Sequence, residues 1–325
     1  RQQDEIIIII MLATIKLTKF TRNVYEPSED SFLLADALRE LWEKDDTDNN
    51  MFTKNLFVVD KEKSDYDYDY DYDDDEFLSV EIGVGSGYVL CGHILSYVKA
   101  FRAARERPLL LQENERRTGG ERKKRWRFIG VDVNEEAVEC TKETLRNHEL
   151  YDDDEEGTVT NPQKSSSSFD VEIIKGDLLE DERFFARGNE SIAEETTTTE
   201  RRIRRKIDVL LFNPPYVVTP SEEIYDEEKM KMISTTTTTA TTSTDYAITA
   251  AWAGGVRGRE VIDRILKDIK NILRENGGIF LCVAYEQNDI EEMMNVLREQ
   301  DLKVDLVRRT KADEEQLSII MAKNV

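Results

Sequence analysis

Residues Phe77–Gly87 read FLSVEIGVGSG. A short apolar run stops at three glycines spaced GxGxG, and a helix-compatible stretch, Tyr88–Phe101, follows. Strand, glycine turn and helix form the opening unit of a parallel α/β sheet. Glycines at that turn let backbone amides approach a ligand at the carboxyl end of the strand. The alternation repeats downstream. RFIGVDV (Arg127–Val133) reads as a second strand and leads into a helix over Asn134–Glu149, with Asn134 as its cap. DVEIIK (Asp170–Lys175) is a third strand. IDVLLF (Ile207–Phe212) is a fourth and the most continuously apolar, as a central parallel strand buried on both faces requires. Gly258–Glu275 places Val261, Ile262, Ile265, Leu266, Ile269, Ile272 and Leu273 at helical spacing. GIFLCVA (Gly278–Ala284) is a fifth strand and Asp289–Gln300 another helix. Lys303–Arg308 and Leu317–Ala322 close the chain as two strands joined by a charged turn. The pattern predicts a doubly wound, mostly parallel α/β sheet of seven strands.

Five low-complexity stretches interrupt it, near 45–76, 105–124, 152–168, 187–205 and 230–244. The first contains DYDYDYDYDDDE (Asp65–Glu76), which repels itself and has no core-forming face; the others are rich in Arg/Glu, Ser or Thr. They read as insertions into surface loops, which are thermodynamically tolerated. Residues 11–325 are therefore expected to form one domain with long loops. Residues 1–10 read as an extension that is non-native or disordered, since the chain starts with Arg1 and Met11 follows.

The 325 residues are 35% charged and 39% hydrophobic, enough to bury a sizeable core. With 68 acidic against 45 basic residues the net charge is -23, which disfavours broad electrostatic binding to nucleic acid. Three cysteines, widely spaced and without a CxxC pair, argue against a disulfide framework or a structural zinc site. The apolar run Ile6–Leu12 is far shorter than the ~20 residues that span a bilayer and lacks the flanks of a signal peptide. No membrane association is expected, and a cytoplasmic location, with the nucleus as a second compartment, follows.

Three strand ends carry the candidate ligand groups. Glu81 precedes the first glycine, with Gly83 and Gly85 in the loop. Asp132 ends the second strand, placed to accept hydrogen bonds from a ribose diol, and Asp177-Leu178 follow the third, where an exocyclic adenine amine could be held. GxGxG is not the GxGxxG of dinucleotide sites, and Asp132 lies 49 residues past Gly83, beyond the ~20 typical there. The insertion at 105–124 accounts for most of that excess. Carboxylates in place of a phosphate cradle suit an adenosine-bearing ligand with a cationic sulfonium, S-adenosyl-L-methionine. After the fourth strand come Asn213-Pro214-Pro215-Tyr216. The prolines fix a loop leaving the sheet. The Asn213 side-chain carbonyl and the Pro214 backbone carbonyl can accept hydrogen bonds from one NH2 group, with Tyr216 flanking it, so the gain is positioning.

The tetrapeptide with the GxGxG loop resembles the amino-methyltransferases acting on exocyclic or amide nitrogens. VYEPSEDSFLL (Val24–Leu34), NPPYVVTP (Asn213–Pro220), AWAGG (Ala251–Gly255) and GRE (Gly258–Glu260) are similar, more narrowly, to the eukaryotic and archaeal HemK-type glutamine methyltransferases of the class 1 translation termination factor. The resemblance runs from about Met11 to the end, outside the insertions. It implies the Rossmann-like, seven-stranded class I S-adenosylmethionine-dependent methyltransferase fold. It implies, too, that Ser31 contacts the cofactor, Glu81 and Gly83 hold its amino-acid end, Asp132 its ribose and Asp177 and Leu178 its adenine. Asn213 would bind both cofactor and substrate, with Pro214, Pro215 and Tyr216 completing the acceptor pocket. The implied substrate is the glutamine of a Gly-Gly-Gln loop in the peptide chain release factor, methylated on its side-chain amide nitrogen, with histone lysine as an additional acceptor. The implied partner is a small zinc-binding activator protein, in a heterodimer; the zinc belongs to that partner and this chain holds no metal.

Two other readings stay open. A nucleic-acid adenine amino-methyltransferase shares the acceptor motif, against which stand the net charge and the absence of a recognisable target-recognition domain. A non-catalytic scaffold for the zinc-binding partner is the second, against which stands the complete set of Asp132, Asp177 and Asn213. His93 and His148 read as packing or surface groups rather than catalytic ones.

Overall fold

The computed structural model describes residues 15–16, 23–43, 76–105, 125–151, 169–184, 205–224, 248–249, 251–312 and 315–325. Residues 1–10 and nearly all of the five low-complexity stretches lie outside them. Three insertion boundaries fall inside and belong to the fold. Glu76 begins the first strand, buried with its carboxylate held by Arg205 at 2.7 Å. Arg105 ends a helix, and Arg205 donates its N–H to the Phe184 carbonyl.

Helix α1 (Glu29–Glu43) precedes strand β1 (Glu76–Ile82), helix α2 (Tyr88–Arg105), strand β2 (Arg125–Asp132), helix α3 (Glu135–Arg146) and strand β3 (Phe169–Lys175). Strand β4 (Val209–Phe212), short helices α4 (Asp263–Leu266) and α5 (Ile269–Ile272), strand β5 (Ile279–Tyr285), helix α6 (Ile290–Arg298) and strands β6 (Lys303–Ala312) and β7 (Glu315–Lys323) follow. The seven strands form one sheet in the order β3-β2-β1-β4-β5-β7-β6. β3, β2, β1, β4 and β5 run parallel, and β7 pairs antiparallel with both β5 and β6. The expected doubly wound seven-stranded sheet is therefore present.

The strand composition follows from the two layers of core. In β4, Val209 and Leu211 face one apolar cluster while Leu210 and Phe212 face the other. In β5, Ile279, Leu281 and Val283 alternate with Phe280, Cys282 and Ala284 in the same way. A strand covered on both faces has no polar side to show, hence the continuous apolar runs. On the first face Trp126 stacks on Phe77, ring centroids 3.8 Å apart, beside Trp42 and Tyr97. His93 is buried in this cluster, edge-on to Phe128, and burial pushes its imidazole down to about 3, so it packs as a neutral ring.

The continuous helix expected over Gly258–Glu275 does not form. A 3-10 turn at Val256–Gly258 precedes α4, and α5 starts anew after Asp268, whose φ is -118°. The side chain of Gln300 explains the break. Its Nε2 donates to the Leu266 carbonyl (2.8 Å) and its Oε1 accepts from the Lys270 N–H (3.1 Å). Those two backbone groups would bond to each other in an unbroken helix. The apolar positions still face the core, since Ile262, Ile265, Leu266, Ile269, Ile272 and Leu273 are all buried.

Candidate active site

The order of strands reverses between β1 and β4: the chain moves outward from β1 through β2 to β3, then returns to the other side of β1. A crevice opens outside the carboxyl ends at such a switch point. Here it is a cavity of about 700 Å³, lined by residues from the ends of β1, β2, β3 and β4 and from the start of α1. Register explains the gathering: Ile82 pairs with Val131 on one side and Phe212 on the other, so the strand ends are flush. Ser31, Glu81, Gly83, Gly85, Asp132, Asp177, Leu178, Asn213, Pro214, Pro215 and Tyr216 all line this one cavity.

The glycine loop closes the floor. Gly83, Gly85 and Gly87 all have positive φ, and the Gly83 N–H is tied to the Val131 carbonyl (2.8 Å). The Gly85 N–H donates to Asp132 Oδ2 at 3.0 Å, and the Asn134 N–H donates to Asp132 Oδ1 at 2.9 Å. These bonds aim the carboxylate while leaving each oxygen with a free lone pair. Burial raises the Asp132 pKa and the backbone donors oppose the rise. Asn134 caps α3 as expected, its side chain accepting from the Glu136 N–H.

Glu81 is only 2% exposed, and its Oε2 has no hydrogen-bond partner among the described residues. Burial, reinforced by the Asp132 charge, pushes its pKa well above the usual carboxylate range. A buried carboxylate with an orphaned oxygen is costly unless a cation or donor completes it. The pair Glu81–Asp132, facing a cavity, fits an occupant with a positive charge and a pair of hydroxyls.

Asp177 has a partner on which the sequence reading is silent. Its carboxylate is gripped by Arg264, with Nη1 on Oδ1 at 3.0 Å and Nη2 on Oδ2 at 2.8 Å, and Arg264 also reaches Glu180 at 2.9 Å. The oxygens keep lone pairs for an amine donor, but their direction is set by the guanidinium. Leu178 beside it is buried with φ +50°.

The acceptor loop, Asn213–Tyr216, leaves β4 against a second loop. The Val217 N–H donates to the Trp252 carbonyl (3.0 Å) and the Gly254 N–H to the Val217 carbonyl (2.8 Å). A Cβ on Gly254 would come within 2.6 Å of the Pro215 carbonyl oxygen, and one on Gly258 within 2.0 Å of the Tyr216 carbonyl oxygen. The AWAGG and Gly258 segments are thus the bed on which the acceptor loop lies, and Trp252 joins the cavity wall. Asn288, 2% exposed, fastens the two loops: its Nδ2 donates to the carbonyls of Tyr216 (2.8 Å) and Arg257 (3.0 Å).

Asn213 Nδ2 donates to Asp30 Oδ2 at 3.2 Å, and the Tyr216 hydroxyl donates to the same oxygen at 3.3 Å. Asn213 Oδ1 is buried and has no hydrogen-bond partner among the described residues. Asp30, Arg264, Trp252 and Asn288 carry no assignment from the sequence, although Asp30 stands beside Ser31 in the quoted VYEPSEDSFLL stretch.

Over 75 residues, 23% of this chain and 35% of the relative, the chain is 33% identical to the Methyltransferase HEMK2 of Homo sapiens. Over 73 residues, 22% of this chain and 31% of the relative, it is 34% identical to the eRF1 methyltransferase catalytic subunit mtq2 of Schizosaccharomyces pombe. The chain is similar to the HemK-type methyltransferases. It spans about a third of the length of the curated relatives it matches. A solved structure of the E. cuniculi Mtq2-Trm112 complex, responsible for methylation of the eRF1 translation termination factor, is 17% identical with a TM-score of 0.40, covering 93% of this chain and 99% of that one. No family model matches the chain.

Proposed function

We propose that this chain is an S-adenosylmethionine-dependent methyltransferase acting on the side-chain amide nitrogen of the glutamine in the Gly-Gly-Gln motif of the class 1 peptide chain release factor. The observation that carries the reading is Asn213 Oδ1, buried and without a partner at the cavity end of β4. An acceptor held so needs an N–H donor from an occupant, and a primary amide supplies two. When bound, S-adenosylmethionine supplies an electrophilic methyl carbon on a sulfonium centre.

The residues of the chain bind and orient. Glu81 Oε2 takes the cationic amino-acid end, Asp132 the ribose hydroxyls, and Asp177 with Leu178 borders the adenine. Asn213 Oδ1 and the Pro214 carbonyl would take the two in-plane N–H bonds of the acceptor, which orients the amide so that the lone pair, perpendicular to its plane, points toward the methyl donor, and Tyr216 walls the planar group. Alignment of this kind is worth several kcal/mol of barrier. A small zinc-binding activator protein, which the sequence resemblance implies, is part of the proposal.

Two results are expected. The chain, co-expressed with such a partner and given radiolabelled cofactor, should label a release factor and lose the label when its Gly-Gly-Gln glutamine is changed to alanine. Label on adenine-containing DNA offered in parallel, or on histone alone, would overturn the reading. Asp132→Ala should raise the cofactor Kd by about 10- to 100-fold in calorimetry, from two charge-assisted hydrogen bonds lost. An unchanged Kd would remove Asp132 from the ribose site.

A further inference from the structure

Asp30 sits in the first turn of α1, 3% exposed, with donors on every side. Its Oδ1 accepts from the Ser31 N–H (2.6 Å) and the Ser31 hydroxyl (3.3 Å). Its Oδ2 accepts from Asn213 Nδ2 (3.2 Å) and the Tyr216 hydroxyl (3.3 Å). α1 itself is anchored: Leu33, Leu34, Leu38 and Trp42 are buried in the core, and Asp36 is bound by Arg308 at 2.6 Å. Asp30 is therefore a fixed point on a fixed helix, and two acceptor-loop side chains hang from it.

An asparagine side chain is nearly symmetric in shape, and its two ends differ only in donating or accepting. Whichever end faces Asp30, the other faces away from it, on a residue that lines the cavity. A carboxylate offers acceptors alone, so Asn213 must turn its NH2 to Asp30 and leave Oδ1 facing away from it, buried and unpartnered. We infer that Asp30 is the positioning residue that fixes the amide orientation of Asn213, so that the acceptor site presents oxygen rather than nitrogen to the incoming NH2 group. The inference rests on the function proposed above and adds what makes that site selective for an amino or amide donor. The same carboxylate oxygen fixes the Tyr216 hydroxyl, so one atom sets two walls of the pocket.

Asp30→Asn tests this with almost no change in volume. One amide cannot replace four accepted bonds. Its oxygen will stay on the Ser31 N–H, the shortest contact, and its NH2 will turn to Asn213 and Tyr216. Asn213 must then flip, and the pocket offers a donor to a donor. The expected result is a fall in kcat of about 100-fold with cofactor Kd and melting temperature near those of the wild type. In the Asn213→Ala background the same change should cost far less than in the wild type, because the share that acts through Asn213 is already lost and only the hold on the Tyr216 hydroxyl remains. A residue with a merely structural role would lower stability and add its effect to that of Asn213→Ala.

A second readout needs no turnover. The Asn213 side-chain NH2 pair, assigned by loss in Asn213→Ala, should shift in the nitrogen–proton spectrum of Asp30→Asn. An unmoved pair overturns the proposal whatever the enzyme methylates. Wild-type chain that labels no release factor would instead overturn the function, and full activity in Asp30→Asn would overturn the positioning role alone.

Discussion

Asn213→Ala is expected to lower methyl transfer by about 10³-fold while changing cofactor affinity no more than a few-fold. The separation follows from where the side chain sits. Asn213 Oδ1 is an orphaned acceptor at the end of β4, whereas Glu81 Oε2 and Asp132, the groups proposed for the cofactor, belong to β1 and β2. On the proposed function, truncation removes the acceptor for the substrate nitrogen, and it leaves Asp30 Oδ2 with the Tyr216 hydroxyl. The substrate amide can still enter, but its lone pair is no longer aimed. Single-turnover transfer measured beside calorimetric cofactor binding reads both quantities. A variant that methylates like the wild type would remove Asn213 from the acceptor site.

Gly258→Ala should be nearly as damaging without touching any ligand. Gly258 has φ +63°, and an added Cβ would stand 2.0 Å from the Tyr216 carbonyl oxygen and 2.4 Å from Asn288 Nδ2. Neither neighbour can yield cheaply. The carbonyl is backbone of the acceptor loop, and the Asn288 amide is engaged with Tyr216, Arg257 and Gly258 at once. Left-handed backbone costs a non-glycine residue about 1–2 kcal/mol, and overpacking adds about 1–3 kcal/mol. The loop moves, and Asn213–Tyr216 move with it. The expected outcome is a fall in kcat of about 100-fold and a melting temperature lower by about 5–10 °C, with cofactor affinity kept. Retained activity in this variant would mean that the acceptor loop does not depend on its glycine bed.

What could be read from the chain, and what could not, divides by sequence distance. The strands were legible because a strand covered on both faces must be apolar throughout, as VLLF at Val209–Phe212 is. Asn134 was legible as a cap because capping acts within two residues. The break between α4 and α5 was not, because the groups that replace the missing helical bond come from Gln300, 30 and 34 residues away. The periodicity of Gly258–Glu275 reports which side chains are buried, and that survives the break. Strand-end carboxylates in the candidate site could be picked out because parallel pairing brings strand ends together. Asp30 could not be given its role, since its contacts with Asn213 and Tyr216 span 183 and 186 residues. The grip of Arg264 on Asp177, across 87 residues, was hidden for the same reason.

The placing of the indoles has an optical consequence. Trp42, on α1, and Trp126, on β2, lie in one aromatic cluster at 7% and 1% exposure, while Trp252 stands in the cavity wall beside the acceptor loop. Emission from the first two is that of a dry environment and reports on whether the sheet is assembled. Trp252 sees whatever fills the crevice. The three indoles of this chain thus separate folding from occupancy by colour, and the native chain carries its own gauge of how full its crevice is.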